Sequence, residues 1–337
     1  MDLPAALRAL LAGRALTRAE ARDAMGELLD GRATDAQAGA FLAALRVRGE
    51  TVPELVGFAE AMRAKARRVT VRRRPLLDTC GTGGDGSGTF NISTAVALVA
   101  AGAGAVVAKH GNRAVSSKAG SADALEALGV RADLTPARAA RCVERLGAGF
   151  LFAPSHHPGV GRLGPVRRQL GTRTVFNLLG PLANPAGAHR QLLGVYATAL
   201  VRPVAEALKA LGVERALVVS SRDGLDEVSL SAPTLVARLA AGRVTVETVR
   251  PEDAGLKRRP LKALKGGDAG RNAAIIRGIL EGKPGAPREA VLINASAALQ
   301  AAGLAKGWRD GVRLAAESID SGRALAVLEA LARETHA

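Results

Sequence analysis

The part of the chain richest in chemistry lies between Asp78 and Thr94. Gly81, Gly83, Gly84, Gly86 and Gly88 alternate there with Thr82, Asp85, Ser87 and Thr89, and Asn91, Ile92, Ser93 and Thr94 follow. Glycines let a backbone turn sharply and bring its N–H groups against a ligand. A short apolar run precedes this stretch and a long one begins near Ser93, so the pattern predicts strand, loop and helix start. A helix start adds unpaired N–H donors and partial positive charge. Such a loop suits a pyrophosphate-bearing ligand. Asn91, Ser93 and Thr94 offer side-chain hydrogen bonds, and the Ser93 hydroxyl is also a candidate metal ligand.

Two familiar nucleotide loops compete with this reading. Gly81, Gly83 and Gly86 match G-x-G-x-x-G, but the acid expected about 20 residues on to hold a ribose is missing. The strand there ends in Lys109 and His110. The Gly-Lys-Ser/Thr ending of a Walker A loop is also absent. A nicotinamide dehydrogenase and a nucleotide hydrolase of that type are therefore disfavoured. A purely structural glycine turn does not explain so many crowded donors and acceptors.

A second run contains Lys109, His110, Gly111, Asn112, Arg113, Ser116, Ser117, Lys118, Gly120, Ser121, Ala122 and Asp123. It follows the next predicted strand, at the carboxyl edge where parallel sheets place ligands. Lys109, Arg113 and Lys118 offer charge to phosphates, and Ser116, Ser117 and Ser121 offer hydroxyls. His110, between a lysine and an asparagine-bearing loop, is a candidate positioning residue. No residue is assigned as a chemical catalyst.

The elements that must hold these runs follow from patterning. The first seventy residues predict four short helices. Thr17 with Glu20 and Thr51 with Glu54 have capping-box spacing, and Phe41, Leu42 and Leu45 share a helix face. Beyond Pro75, short apolar runs at residues 76–77, 106–108, 150–153, 192–195 and 217–219 alternate with helical stretches. That alternation predicts βαβ units and a mostly parallel sheet. Residues 158–185, basic and then rich in Gly, Asn and Pro, interrupt it as a hinge or an active-site loop. The expected division is a helical domain over 1–72, joined by helices from about 158–185, and an α/β domain over 73–337.

Composition narrows the setting. The 337 residues are 48% hydrophobic and only 2% aromatic, and the net charge is +16. Apolar residues 95–108 are too few to span a bilayer. The N-terminus lacks a signal-peptide pattern. Cys80 and Cys142 form neither a metal-ligand spacing nor a disulfide framework, which suits a reducing cytoplasm. Seven of the twelve residues from 63 to 74 are Lys or Arg, and Lys257, Arg258, Arg259, Lys262 and Lys265 form a second basic cluster. Both are expected to be solvated surface, with at most weak, non-specific nucleic-acid binding.

The two site runs are similar to signature segments of the anthranilate phosphoribosyltransferase family, G-T-G-G-D-G…T-F-N-I-S-T and K-H-G-N-R…S-S…G-S-A-D. Similarity continues at Arg167, from Arg173 through Asn177, Gly180 and Pro181 to Asn184 and Pro185, and at Asp223, Asp226 and Glu227. It extends through Gly266, Gly267, Asp268 and Asn272 to Asn294 and Ala295, and so covers essentially the whole chain. The resemblance implies the nucleoside-phosphorylase/phosphoribosyltransferase type of α/β fold and a homodimer. It implies transfer of phosphoribose from 5-phosphoribosyl 1-pyrophosphate to anthranilate in tryptophan biosynthesis. It places pyrophosphate and ribose contacts on Gly81, Gly84, Asp85, Thr89, Asn91, Ser93, Thr94, Lys109 and Ser121. Anthranilate contacts fall on Gly81, Asn112 and Arg167, and Mg²⁺ ligands on Ser93, Asp226 and Glu227. The neighbours Ile92, His110, Gly111, Asn112, Arg113, Ser116 and Ser117 are counted with the donor site.

The chemistry agrees with these residues. Displacing pyrophosphate from an anomeric carbon builds negative charge on the leaving group, which loop donors and a dication stabilise. Arg167 suits a substrate carboxylate through paired hydrogen bonds. Two departures from the family pattern lie near the expected acceptor: Gly159, Val160 and Gly161 replace longer side chains, and Ser220–Ser221 replace His-Gly. The first is expected to loosen the acceptor entrance. The alternatives are a nucleoside phosphorylase of the same architecture, whose lysine-histidine-serine glycine loop is not present, and a non-enzymatic nucleic-acid-binding relative.

Overall fold

The structure is a computed structural model, and it describes residues 1–114 and 118–337. Four helices, Leu3–Leu11, Arg18–Asp30, Asp35–Arg48 and Val52–Ala64, open the chain. Their starts are written locally. Thr17 and Glu20 form the expected reciprocal capping box. Thr34 with Gln37 forms another, at a position without a sequence expectation. At Thr51 the arrangement is one-sided: the Glu54 carboxylate accepts from both the Thr51 N–H and its hydroxyl, each at 2.8 Å. Glu54 is fully buried and also takes the Leu16 N–H at 2.8 Å, tying the start of the second helix to the fourth.

Seven strands follow: β1 (Leu76–Gly81), β2 (Val106–Gly111), β3 (Ala148–Phe152), β4 (Arg190–Gly194), β5 (Arg215–Ser221), β6 (Thr234–Ala240) and β7 (Arg243–Val249). They form one sheet in the order β3-β2-β1-β4-β5-β6-β7. Pairs from β3 to β5 are parallel, whereas β5–β6 and β6–β7 are antiparallel. The five parallel strands are those expected from the apolar runs. The β6–β7 hairpin was not anticipated. Its two-residue turn is Ala241–Gly242, both at positive φ (49° and 70°), the conformation favoured for tight hairpins.

Two apolar cores flank the sheet. One joins β1 and β2 to helix Ile92–Gly102 and the C-terminal helices Ala286–Ala301, Trp308–Asp320 and Arg323–His336. The other joins Phe41, Leu42 and Phe58 of the first helices to Val166, Phe176 and Leu179, and runs on to Leu193, Val218 and helix Val201–Ala210. The stretch from 158 to 185 is thus built into the helical side, as helices Pro158–Arg162, Gly164–Leu170 and Phe176–Leu182. No helix among the described residues is long and apolar enough to cross a membrane.

Candidate active site

β1 lies between β2 and β4, and the chain runs outward to β3 before returning to β4. At such a reversal the loops leaving neighbouring strands diverge, opening a crevice at their carboxyl ends. The glycine-rich loop leaves β1 there. Gly83, Gly84, Gly86 and Gly88 all hold φ between 61° and 74°, a backbone other residues adopt only with strain. The loop is held on every side. Thr82 N–H donates to Gly194 O at 2.9 Å, and Tyr196 N–H donates to Thr82 Oγ1 at 3.1 Å. Ser87 N–H donates to Asp85 Oδ1 at 3.1 Å. Phe90 N–H reaches Leu264 O at 3.1 Å and Gly266 N–H reaches Gly88 O at 2.9 Å. Asn91, expected as a ligand contact, accepts from Asn272 Nδ2 at 2.9 Å and donates to Ala119 O at 3.1 Å.

The expected acids do meet this loop. Asp226 Oδ2 accepts the Gly83 N–H at 2.9 Å. The approach depends on missing side chains: a Cβ on Gly194 would stand 1.6 Å from the Asp226 carbonyl oxygen, and one on Gly81 would stand 2.7 Å from Asp226 Oδ2. Burial, and then the nearby charge of Asp85, pushes the Asp226 carboxyl up to about 7. Glu227 is pushed well above its ordinary value by burial and by Asp226, with Lys109 and the Ser93 N–H opposing. Asp85 Oδ2 is buried without a hydrogen-bond partner. Carboxylates crowded into one site in this way are short of positive charge.

That shortage fits Mg²⁺. No group of three or more His, Cys, Asp or Glu side chains among the described residues is arranged to hold a metal by itself. Mg²⁺ rarely needs one; it takes one or two carboxylates, keeps waters and shares substrate phosphate oxygens. Asp226 and Glu227, with the Ser93 hydroxyl, match that donor set.

Lys109 is buried beneath the loop, where its ammonium donates to Thr79 O and, at 3.2 Å, to Ser93 Oγ. Asp78, fully buried on β1, accepts the His110 N–H at 3.0 Å and Asn184 Nδ2 at 2.8 Å. Burial raises the Asp78 carboxyl and lowers the Lys109 ammonium, and each partly offsets the other. Thr94 is buried with its hydroxyl unpartnered, and the Ile92 side chain belongs to the core. The assignment of Ile92 to the donor site therefore falls to its backbone alone, and its N–H already donates to Phe90 O at 2.7 Å.

His110 pairs one ring nitrogen, Nδ1, with Gly180 O at 3.1 Å, and its ring centroid lies 5.1 Å from that of His157. Burial lowers its pKa to about 3, so the ring is neutral. It links the end of β2 to helix Phe176–Leu182.

The rest of the second run is partly committed elsewhere. Arg113 pairs with Glu126, the closest N···O separation being 2.5 Å, and with Asp123 at 3.2 Å, on the helix that begins at Ser121. Its charge is paired within the protein in this structure. Ser121 Oγ donates to Asn112 O at 3.2 Å, folding Asn112 and Gly111 against that helix. Ser116 and Ser117 lie outside the described residues.

Arg167 stands differently. It is partly buried, its guanidinium lies 5.2 Å from the Phe176 ring centroid, and no carboxylate pairs with it among the described residues. Burial alone lowers its pKa. A partly buried cation without a counter-charge is a ready partner for a carboxylate ligand.

The expected loosening at Gly159–Gly161 is not supported. A Cβ on Gly159 would meet Leu29 O at 2.8 Å, so the missing side chain admits helix Arg18–Asp30, while Gly161 has open space around it. Ser220 and Ser221 are buried at the end of β5. Arg173 and Tyr196 received no role from the sequence, yet both hold the glycine loop. The Arg173 guanidinium donates to Gly84 O and lies 4.5 Å from the Tyr196 ring centroid. No local motif marks such a pairing; only the meeting of two distant segments creates it.

A mostly parallel sheet with a glycine-rich loop at its topological switch, packed against a helical unit, fits the class of group-transfer enzymes that act on phosphorylated sugars. Residues 73–325 match the family model described as "Glycosyl transferase family, a/b domain", and residues 4–66 match "Glycosyl transferase family, helical bundle domain". The anthranilate phosphoribosyltransferase of Azorhizobium caulinodans is 55% identical over 327 residues, 96% of this chain and 94% of that protein. The crystal structure of the Thermus thermophilus enzyme of that name superposes with TM-score 0.94 at 47% identity, covering 98% of this chain and 99% of that one. The Saccharomyces cerevisiae enzyme in complex with PRPP and Mg superposes with TM-score 0.90 at 29% identity, covering 99% and 98%. The same yeast enzyme is also known in complex with 4-fluoroanthranilate. The chain belongs to the anthranilate phosphoribosyltransferase family.

Proposed function

We propose that the chain transfers the phosphoribosyl group of 5-phosphoribosyl 1-pyrophosphate to the amine of anthranilate, giving N-(5-phosphoribosyl)anthranilate and pyrophosphate, in tryptophan biosynthesis. The observation that carries the reading is the positive-φ glycine loop after β1, whose Gly83 N–H is held by Asp226. A positive-φ glycine loop meets Asp226 at one end of the reaction, and an unpaired Arg167 is available for the other. Asp226, Glu227 and Ser93 would hold Mg²⁺, which supplies neutralisation of the leaving pyrophosphate when bound.

The chain's own residues do the rest. Loop N–H groups and the start of helix Ile92–Gly102 face developing negative charge, and being fixed beforehand they need no reorganisation. Lys109 fixes Ser93 and the end of β1 from below. Arg167 orients the acceptor through its carboxylate. The aryl amine is already nucleophilic, so positioning and charge stabilisation suffice without a strong general base. His110, neutral, orients the helical segment that packs beside Arg167.

Residues 1–72 together with 158–185 are read as one helical body and 73–337 otherwise as the α/β body, supported by the shared second core. A homodimer is proposed as well. Its support is Leu11 and Val47, 72% and 89% exposed on packed helices of the helical body. A cytoplasmic setting accords with two buried free cysteines.

An acceptor competition tests the reading. Purified protein receives Mg²⁺, the donor and an equimolar mixture of anthranilate and free nucleobases, and consumption of each is followed by chromatography. Selective loss of anthranilate is expected. Loss of a nucleobase with anthranilate untouched would leave the donor site standing and overturn the named acceptor.

A further inference from the structure

We infer that Arg173 is a positioning residue for the phosphoribosyl donor, fixing the glycine-rich loop through the Gly84 carbonyl from a platform made by Tyr196. The inference rests on the proposed reaction and assigns a role to a side chain outside the donor, acceptor and metal sets.

Four observations converge on it. Gly84 lies in the middle of the positive-φ run, at φ 72°, where backbone preferences allow the peptide several orientations. Its carbonyl is taken by the Arg173 guanidinium, whose Nε also lies 3.2 Å from where a Gly84 Cβ would stand. That guanidinium is oriented by the Tyr196 ring, 4.5 Å away, and stacking of this kind fixes a planar cation better than it fixes an ammonium. Tyr196 is in turn fastened to the same loop, because its N–H donates to Thr82 Oγ1 at 3.1 Å. Loop, ring and guanidinium therefore form a closed circuit running Thr82, Gly84, Arg173 and Tyr196.

Holding a carbonyl sets its peptide plane, and setting the plane aims the next N–H. With the Gly84 carbonyl drawn to Arg173, the N–H of Asp85 on the same peptide points the opposite way. At Gly83 the N–H is already anchored by Asp226. The circuit thus leaves one loop conformation where five glycines would otherwise allow many, and the ordering free energy is settled before the donor arrives. Arg173 itself stands three positions beyond helix Gly164–Leu170, outside the helix that carries Arg167.

The test uses the full-length protein with Arg173→Ala, Arg173→Lys and Tyr196→Ala. Donor binding is measured directly by calorimetry in the presence of Mg²⁺, and both KM values and kcat are measured by the anthranilate assay. Loss of an arginine hydrogen bond with its orienting stack should weaken donor binding about ten- to a hundred-fold. KM for anthranilate should stay within about twofold, as independent sites behave. Arg173→Lys should recover only part of the loss, and Tyr196→Ala should reproduce part of it with Arg173 intact. Normal donor affinity in Arg173→Ala would overturn the inference, and so would equal increases in both KM values. Calorimetry keeps the inference separable from the choice of acceptor: a wild type that binds donor but leaves anthranilate unused fails the proposed function and not this role.

Discussion

Arg167 and the Asp226–Glu227 pair bring opposite charges to opposite ends of the proposed reaction. Arg167 has no carboxylate partner among the described residues, so a ligand carboxylate gains a charge-assisted contact that displaces no internal pair. Arg167→Ala should raise the KM for anthranilate by about ten- to a hundred-fold, and much more than that for the donor. Equal effects on both substrates in steady-state kinetics would refute the assignment. Asp226 and Glu227 are costly to keep charged without a cation, since desolvation, followed by Asp85 beside Asp226 and by Asp226 beside Glu227, raises both. Replacing both with Ala should therefore leave a folded protein whose turnover collapses. Circular dichroism checks the fold, and a wild type equally active in excess chelator would exclude the metal requirement. The glycine loop and Lys109 were legible from residue types and spacing, whereas Arg167, Asp226 and Glu227 were reached only through the family resemblance. Arg113 shows what residue type alone leaves out. A cation beside a phosphate loop invites a ligand, and only the structure places Glu126 against it.

At the scale of elements, β4 supports the acids. Gly194 pairs with Gly81 in register, and the absence of both side chains admits Asp226. Gly194→Ala would drive a methyl into the Asp226 carbonyl oxygen, so Asp226 must shift. A displacement near 1 Å costs about a hundredfold in rate. Stopped assays on the purified variant should show that loss in kcat while the melting temperature falls modestly; full activity would mean that Asp226 is not where the chemistry occurs. The parallel strands were readable from the sequence because buried strands are continuous apolar runs. β6 and β7 escaped because they are not continuous apolar runs, β7 alternating valines with polar residues as a solvent-facing antiparallel strand does. Arg238 and Glu247 form an ion pair diagonally across the strands at 2.9 Å, and Ala241 sits at a turn position where Asn or Gly is usual. The segment 158–185 was legible as an interruption, but its packing against the first helices depends on contacts such as Val166 with the second core, which no local pattern announces.

Across the whole molecule, buried histidines and surface charge set the response to conditions. Burial lowers His110 and His157 from 6.5 to about 3 and about 4. Above pH 6.5 neither the folded nor the unfolded chain protonates them. As the pH falls below that value the unfolded chain binds protons that the folded one refuses, so stability is lost toward pH 4. Calorimetric melting temperatures should drop over that window, and less steeply in His157→Gln; an unchanged acid slope in the variant would exclude the histidine contribution. The charge of +16 is a different matter. The basic run is not a uniform face: Arg63 donates to Leu182 O at 2.7 Å and Leu211 O at 3.1 Å, and Lys65 pairs with Asp30. DNA should bind only in the non-specific range of about 10⁻⁴ to 10⁻⁶ M, falling steeply with salt. Sequence-selective binding at physiological salt in an anisotropy titration would restore the nucleic-acid reading.

Stoichiometry tests most directly whether the crevice joins phosphoribose to anthranilate with loss of pyrophosphate. Purified protein is mixed with Mg²⁺, 5-phosphoribosyl 1-pyrophosphate and anthranilate, and loss of anthranilate fluorescence is followed alongside pyrophosphate release. One pyrophosphate should appear for each anthranilate consumed, with neither signal when the donor or the metal is withheld. Pyrophosphate release that continues at the same rate without anthranilate, or anthranilate that persists with every component present, would contradict the proposed reaction.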